Sequence, residues 1–126
     1  MKVLVDTSVW VEHFRNGHPA LPPLLAMDAV LIHPYVLAEL ACGTPPAPRQ
    51  RTLGDLARLR STSLVGQTEL LDFIEREKLY GLDCGMVDLT LLAATLLTPE
   101  ARLWTLDRRL AALAQRFAVA FVPVYA

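Results

Sequence analysis

The chain has 126 residues, 53% of them hydrophobic, which is enough for one domain with a buried core but not comfortably for two. Its net charge of −1 argues against a protein held on nucleic acid mainly by overall charge, so any such role needs a local site. Two cysteines without CxxC spacing argue against a disulfide framework and a zinc site. We therefore expect a single domain over residues 1–126.

The N-terminal residues show no targeting segment, because no apolar stretch with a cleavage site follows Met1. The longest nearly apolar run, residues 89–97, includes two threonines and is too short to cross a bilayer. These features predict a soluble, cytoplasmic protein without membrane contact. Cys42 and Cys84 are then expected to be reduced. We also expect each to be buried as a small hydrophobic residue.

The first half of the chain alternates short strands with helices. Residues 3–5 predict a buried strand, followed by a helix that begins near Thr7 and ends before Gly17. Residues 21–27 predict a short helix with proline in its first turn, and residues 29–32 a second strand. The next helix begins at Pro34 and stops at Gly43. A loop over residues 44–48, a helix over residues 50–59 and a brief strand over residues 62–65 follow.

The second half continues the same alternation. Residues 67–78 predict a helix and residues 81–85 a turn. Residues 86–97 predict a helix that is apolar on nearly every side and therefore central and buried. A strand over residues 103–105, a helix over residues 108–117 and a final strand over residues 120–122 complete the chain. This order predicts an α/β fold with a mostly parallel sheet.

Four acidic residues occupy positions that are unusual for ordinary surface residues. Asp6 directly follows a predicted strand, and Asp107 lies two residues after the end of another. Open parallel sheets bind ligands beyond the carboxyl ends of their strands. Both residues also precede helices, so each could instead be a helix N-cap. Asp88 has leucines as its helix neighbours, where a carboxylate is costly unless it is paired or bound to a metal. Glu39 lies in a mostly apolar helix, with a solvent-facing position as the alternative.

Carboxylates gathered at one sheet edge are typical ligands for Mg²⁺ or Mn²⁺, and such a site suits phosphodiester hydrolysis. The three histidines lack ligand spacing and are expected at the surface or in helix caps; they are His13, His18 and His33. The sequence contains no P-loop, no GxGxxG motif and no recognisable Ser–His–Asp arrangement. An aspartyl-phosphate phosphatase would need a second acid two residues after the first, but Ser8 stands there.

Four segments resemble, in order, the four motifs of PIN domains. They are Val-Leu-Val-Asp6-Thr-Ser-Val-Trp, Pro34-Tyr-Val-Leu-Ala-Glu39-Leu, Val87-Asp88-Leu-Thr-Leu-Leu-Ala-Ala and Leu103-Trp-Thr105-Leu-Asp107-Arg-Arg-Leu. The resemblance covers essentially the whole chain and is closest to the single-domain VapC toxins of type II toxin–antitoxin systems. One such motif alone would be weak evidence, whereas all four in order are specific.

The resemblance implies a three-layer α/β/α sandwich and a Mg²⁺- or Mn²⁺-dependent endoribonuclease that cuts single-stranded RNA. It also implies a homodimer and inhibition by a small antitoxin protein. The metal-holding, catalytic acids would be Asp6, Glu39, Asp88 and Asp107. The hydroxyls that orient them would be Thr7 or Ser8, and Thr105. A catalytically inactive PIN-like domain that only binds RNA or protein is the alternative.

Three further expectations follow. Asp83 departs from the usual Gly-rich or basic turn before the third motif, and we interpret it as a cap of the following helix rather than an outer acid of the site. Basic residues could guide RNA along the rims of a dimer; the candidates are Arg15, Arg49, Arg51, Arg108 and Arg109. Converging acids repel one another, so Asp6→Asn and Asp88→Asn are each expected to stabilise the metal-free protein.

Overall fold

The computed structural model describes residues 1–124, and a sheet of four parallel strands runs through the centre of this part of the chain. The strands are β1 (Lys2–Val5), β2 (Val30–Ile32), β3 (Arg60–Ser61) and β4 (Ala101–Trp104). Their order across the sheet is β3-β2-β1-β4, which puts β1 between β2 and β4. All three pairings are parallel, so the carboxyl ends of the strands meet at one edge of the sheet.

Helices connect the strands and follow them along the chain. In the described residues they are α1 (Thr7–Asn16), α2 (Leu21–Ala26), α3 (Pro34–Cys42), α4 (Arg49–Ala57), α5 (Gln67–Glu77), α6 (Met86–Leu97) and α7 (Arg108–Arg116). Helices α1, α3 and α4 pack in sequence against one another, as do α5, α6 and α7. Two helix groups with a parallel sheet confirm the predicted α/β class and agree with a three-layer sandwich.

The middle of β1 and the middle of α6 form much of the core. Val3, Leu4 and Val5 are completely buried, as expected for a strand covered on both faces. Burying each such side chain contributes about 1.5–3 kcal/mol. The buried hydroxyls of α6 are satisfied within the helix, since Thr90 Oγ1 donates to the Met86 carbonyl and Thr95 Oγ1 to the Leu91 carbonyl, both at 2.7 Å. The prediction of a buried α6 is therefore confirmed for its middle, while its two ends are exposed.

Two predicted strands differ from the structure. The prediction over residues 62–65 is wrong, because β3 comprises Arg60 and Ser61, which pair with Leu31 and Ile32. Strand β2 ends at Ile32, so the residues after Ser61 have no strand to extend along. The predicted final strand over residues 120–122 is reduced to a single bridge between Ala120 and Leu103.

Other boundaries agree with the predictions to within about two residues. The expectation that both cysteines are buried is wrong for Cys42, which is exposed because it lies at the end of α3, next to the loop. Cys84 is half-buried. Within residues 1–124, no helix is both long enough and apolar enough to cross a membrane.

Candidate active site

The parallel pairing of β1 with β4 brings the first two site residues together. Val5 is in register with Trp104, so the residues that follow them, Asp6 and Thr105, leave the sheet side by side. The Asp6 amide donates to the Trp104 carbonyl at 2.9 Å, and Thr105 Oγ1 donates to Asp6 Oδ2 at 2.7 Å. These contacts join residues 99 positions apart in the chain at the carboxyl edge of the sheet.

The carboxylate of Asp6 is held by hydroxyl groups. Ser8 Oγ donates to Asp6 Oδ2 at 2.8 Å, so this oxygen accepts from both Ser8 and Thr105. Asp6 is only 6% exposed. It stands at the N-cap position of α1, yet in the described part of the chain its side chain makes no capping hydrogen bond. Of the two interpretations that the sequence left open for Asp6, the geometry therefore favours an oriented carboxylate over a cap.

The same hydroxyls position the loop after β4. The Leu106 amide donates to Ser8 Oγ at 3.0 Å, and the Asp107 amide donates to Thr105 Oγ1 at 3.0 Å. Asp107 Oδ1 in turn accepts from the amides of Arg109 and Leu110, at 2.9 and 3.0 Å. Asp107 is therefore the N-cap of α7, and its cap interpretation is confirmed. Its side chain is exposed at the same edge of the sheet as Asp6.

Glu39 joins this edge from α3. Its side chain is exposed, as the alternative interpretation expected, but Thr7 Oγ1 donates to Glu39 Oε1 at 2.6 Å. Thr7 is the first residue of α1 and directly follows Asp6. The first turn of α1 thus presents two hydroxyls to two different acids, Ser8 to Asp6 and Thr7 to Glu39.

Asp88 is the fourth acid of the group, and the other three affect its pKa. It lies in the first turn of α6 and is half-buried. Burial raises the pKa of its carboxyl, as do the negative charges of Asp6, Asp107 and Glu39, while a backbone hydrogen bond with Gly85 acts in the opposite direction. The four predicted acids therefore lie close enough for the charges of three of them to raise the pKa of the fourth, Asp88.

The donor set suits a hard divalent cation, because it consists of carboxylates and hydroxyls. Within residues 1–124, no three acidic, histidine or cysteine side chains stand close enough to hold a metal ion as they are placed. Burial is the largest cause of the raised pKa of Asp88, and the negative charges of Asp6, Asp107 and Glu39 add to it. A bound cation would relieve that repulsion, so the residues fit a divalent metal.

Two neighbours of the acids were not assigned to the site from sequence. Asp83 does not cap α6, whose N-cap is Gly85, so that prediction is wrong; Asp83 Oδ2 instead lies 3.8 Å from Arg109 Nη2. Cys84 lies nearby, and burial raises the pKa of its thiol, as do the charges of Asp88, Asp107 and Asp83, whereas Arg109 lowers it. Arg109 lies within the fourth motif, two residues after Asp107, and this position was the available signal for a cation beside the acids.

The histidines are not part of the acid group. His33 is the N-cap of α3 and its Nδ1 accepts from the Tyr35 amide at 2.9 Å, which confirms the expected cap. Burial lowers the pKa of His33. His13 Nδ1 accepts from the His18 amide at 2.9 Å, and burial together with the charge of His18 lowers the pKa of His13.

Comparison with known proteins adds an independent finding. No family model matches the chain. Two curated proteins do, namely Ribonuclease VapC32 of Mycobacterium tuberculosis strain CDC 1551 / Oshkosh and Ribonuclease VapC32 of strain ATCC 25618 / H37Rv. Each is 43% identical to the chain over 110 residues, which cover 87% of this chain and 88% of the relative. The similarity thus spans nearly the whole length of both proteins.

Proposed function

The chain belongs to the VapC-like PIN-domain ribonucleases, and on this premise we propose that it is a divalent-metal-dependent endoribonuclease that cuts single-stranded RNA. We further propose that it works as one domain, in the cytoplasm, as the toxin of a type II toxin–antitoxin pair. The observation that carries the catalytic part is the grouping of four acids at the carboxyl edge of the sheet, where Asp6 follows β1, Asp107 follows β4, and α3 and α6 contribute Glu39 and Asp88.

In this proposal the cation is Mg²⁺ or Mn²⁺ and its ligands come from Asp6, Glu39, Asp88 and Asp107. When bound, such a cation activates water for attack on a phosphodiester and stabilises the charge on the leaving oxygen. The chain itself supplies orientation. Two hydroxyls that donate to one oxygen of Asp6 restrict rotation of its carboxylate while leaving its charge intact. Thr7 acts in the same way on Glu39.

RNA cleavage in the presence and absence of metal tests this function. We expect cleavage of single-stranded RNA with Mg²⁺ or Mn²⁺ and none with EDTA. Asp6→Asn and Asp88→Asn should abolish turnover while the circular dichroism spectrum stays native. Asp72→Asn is the matched control, because Asp72 is an exposed acid on α5, away from the acid group. Full activity in EDTA would contradict the metal mechanism.

The alternative of an inactive PIN-like domain predicts a different result in the same experiment. Such a domain would bind RNA or protein in Mg²⁺ and Mn²⁺ without cleaving it, and the Asp→Asn variants would bind like the wild type. The hydroxyl contacts to Asp6 and Glu39 support the active form, since a domain that only binds has no need of oriented acids.

A homodimer is the proposed assembly. Exposed apolar side chains lie within two residues of acids in the chain, with Leu82 at 42%, Met86 at 60% and Leu106 at 49% exposure. Exposed apolar patches commonly mark interfaces. Light scattering at micromolar concentration should give a dimer mass, and Met86→Lys should shift it towards the monomer. A monomeric wild type would contradict the dimer and leave the ribonuclease proposal intact.

The proposed protein partner is the antitoxin. An acid group at the rim of the sheet attracts a cationic side chain, and the planar arginine fork matches carboxylate geometry. We propose that an antitoxin arginine occupies the metal position while apolar residues bind beside it. Replacing that arginine by alanine should relieve inhibition more than it weakens binding of the antitoxin. Unchanged inhibition would contradict the proposal that this arginine occupies the metal position.

A further inference from the structure

A pocket of about 360 Å³ lies between α1, α3 and the loop after α3. This volume falls at the lower end of the range for small-ligand pockets, roughly 300–1,000 Å³. The residues that matter for its chemistry are Val11, Phe14, Arg15, Glu39, Pro45 and Pro46. Of these residues, only Glu39 belongs to the proposed metal site.

The loop that forms one wall of the pocket is held in place by α4. Arg49 donates through Nη2 to the Ala41 carbonyl at 2.6 Å and through Nη1 to the Gly43 carbonyl at 3.2 Å. Thr52 Oγ1 donates to the Pro46 carbonyl at 2.8 Å. Three hydrogen bonds therefore fix both ends of the loop, so the pocket is formed before any ligand arrives.

The pocket is continuous with the acid group, because Glu39 belongs to both. Its carboxylate accepts from Thr7 on one side and lines the pocket on the other. A strand of RNA whose phosphate lies at the acids would therefore place a neighbouring nucleotide at or near this pocket.

The walls combine flat apolar surfaces with one cation. Phe14 contributes an aromatic ring, and Pro45 and Pro46 contribute aliphatic rings. Arg15 is exposed at the rim and forms no ion pair within residues 1–124. Unstacked RNA bases bind on aromatic side chains and on arginine planes, and their phosphates pair with arginine. Apolar rings beside an arginine therefore match the base and the phosphate of a single nucleotide.

We propose that this pocket binds one nucleobase of the RNA substrate, next to the cleaved phosphodiester, with Arg15 contacting the adjoining phosphate. The inference rests on the proposed ribonuclease function and adds a specificity-determining subsite to it. A peptide held by apolar contacts alone would leave Arg15 without an ionic partner, whereas a nucleotide offers a base to the apolar walls and a phosphate to Arg15.

Abasic substitution in a short single-stranded RNA tests the subsite. With Mg²⁺ or Mn²⁺, removing the base at one position beside the cut should lower kcat/KM of the wild type about tenfold, the equivalent of ~1.4 kcal/mol. Removal at distant positions should have little effect. Phe14→Leu keeps an apolar wall but removes the ring, so it should lower kcat/KM on intact RNA and lose the difference between intact and abasic RNA.

Arg15→Ala provides a second variant at an exposed position with little risk to folding. It should raise KM and weaken the dependence of KM on salt, whereas Arg58→Ala, an exposed arginine at the end of α4, should behave like the wild type. Thermal melts of all three variants verify that they are folded. A wild type that cleaves every abasic RNA equally well would overturn the subsite and leave the ribonuclease proposal standing.

RNA binding to the subsite can also be measured without cleavage. Fluorescence anisotropy of the same oligonucleotides on Asp88→Asn protein should show weaker binding of the one abasic RNA. Equal binding of intact and abasic RNA would overturn the subsite. Absence of cleavage by the wild type with either metal would instead contradict the proposed function. Unchanged discrimination by Phe14→Leu would mean that the pocket receives another occupant, such as a peptide.

Discussion

Asp88→Asn should stabilise the metal-free protein, whereas the same change at Asp6 should destabilise it. The sequence treats the two residues alike, as members of one repelling group, but their contacts differ. Asp88 is half-buried among three other acids, which raise its pKa. Asp6 accepts two hydroxyl hydrogen bonds, from Ser8 and Thr105, on one oxygen. Removing the charge relieves repulsion at Asp88 and weakens favourable contacts at Asp6.

The two effects have comparable sizes and opposite signs. Charge interactions between partly exposed side chains are worth about 0.2–1 kcal/mol each, so removing the charge of the half-buried Asp88 should gain about 0.5–1 kcal/mol. A hydrogen bond to a charged group is worth roughly 1 kcal/mol more than a neutral one, so Asp6→Asn loses about 2 kcal/mol over two bonds. Removing the charge of Asp6 also relieves repulsion, by about 0.5–1 kcal/mol as at Asp88. Asp6→Asn should therefore lower the free energy of unfolding by about 1–1.5 kcal/mol in total.

Thermal melts in EDTA measure both changes. For a domain of this size, 1 kcal/mol corresponds to a shift of roughly 4 °C in Tm. At pH 7 we therefore expect Asp88→Asn to melt about 2–4 °C above the wild type and Asp6→Asn about 4–6 °C below it. Mg²⁺ should stabilise the wild type more than either variant, because only the wild type retains every ligand.

The dependence on pH provides the sharper check. A carboxyl with a raised pKa binds more protons in the folded than in the unfolded protein, so stability falls as pH rises from the ordinary value of 3.8 through the raised pKa. The loss of stability caused by the charged Asp88 is complete above the raised pKa and absent below pH 3.8. The advantage of Asp88→Asn over the wild type should therefore shrink towards pH 4. An equal advantage at pH 7 and pH 4, or a lower Tm at pH 7, would refute the electrostatic explanation.

Three further changes have defined outcomes. Thr7→Val removes the donor to Glu39 and should lower kcat at least tenfold with little change in Tm; unchanged kcat would show that Glu39 needs no orientation. Asp107→Ala should cost about 1 kcal/mol in denaturant unfolding through loss of the α7 cap, whereas Asp107→Asn should be nearly neutral. The lowered pKa of His33 makes stability fall as pH decreases below about 6.5. His33→Asn keeps a cap and should flatten this slope in melts across that range; an unchanged slope would assign it to other groups.

The order of the main strands and helices was predictable from sequence, and so was the placement of the four candidate acids beyond the ends of strands or on helices. Both depend on local information: the continuous apolar run that ends at Asp6, the apolar faces of the helices, and the acids at the ends of strands. Local patterns fail where pairing depends on a distant partner. Strand β3 ends at Ser61 because β2 ends at Ile32, and nothing in residues 62–65 reveals that limit.

The roles of individual acids within the site depended on the tertiary structure. Asp6 and Asp107 occupy the same local position, one residue before a helix, yet Asp107 caps its helix and Asp6 does not. The difference arises because β1 pairs in parallel with β4, which brings Thr105 to Asp6 across 99 residues of chain. A carboxylate binds the donors that the fold brings to it, and those donors are set by strand order and register. Sequence therefore identified the candidate acids, and the fold determined what each one contacts.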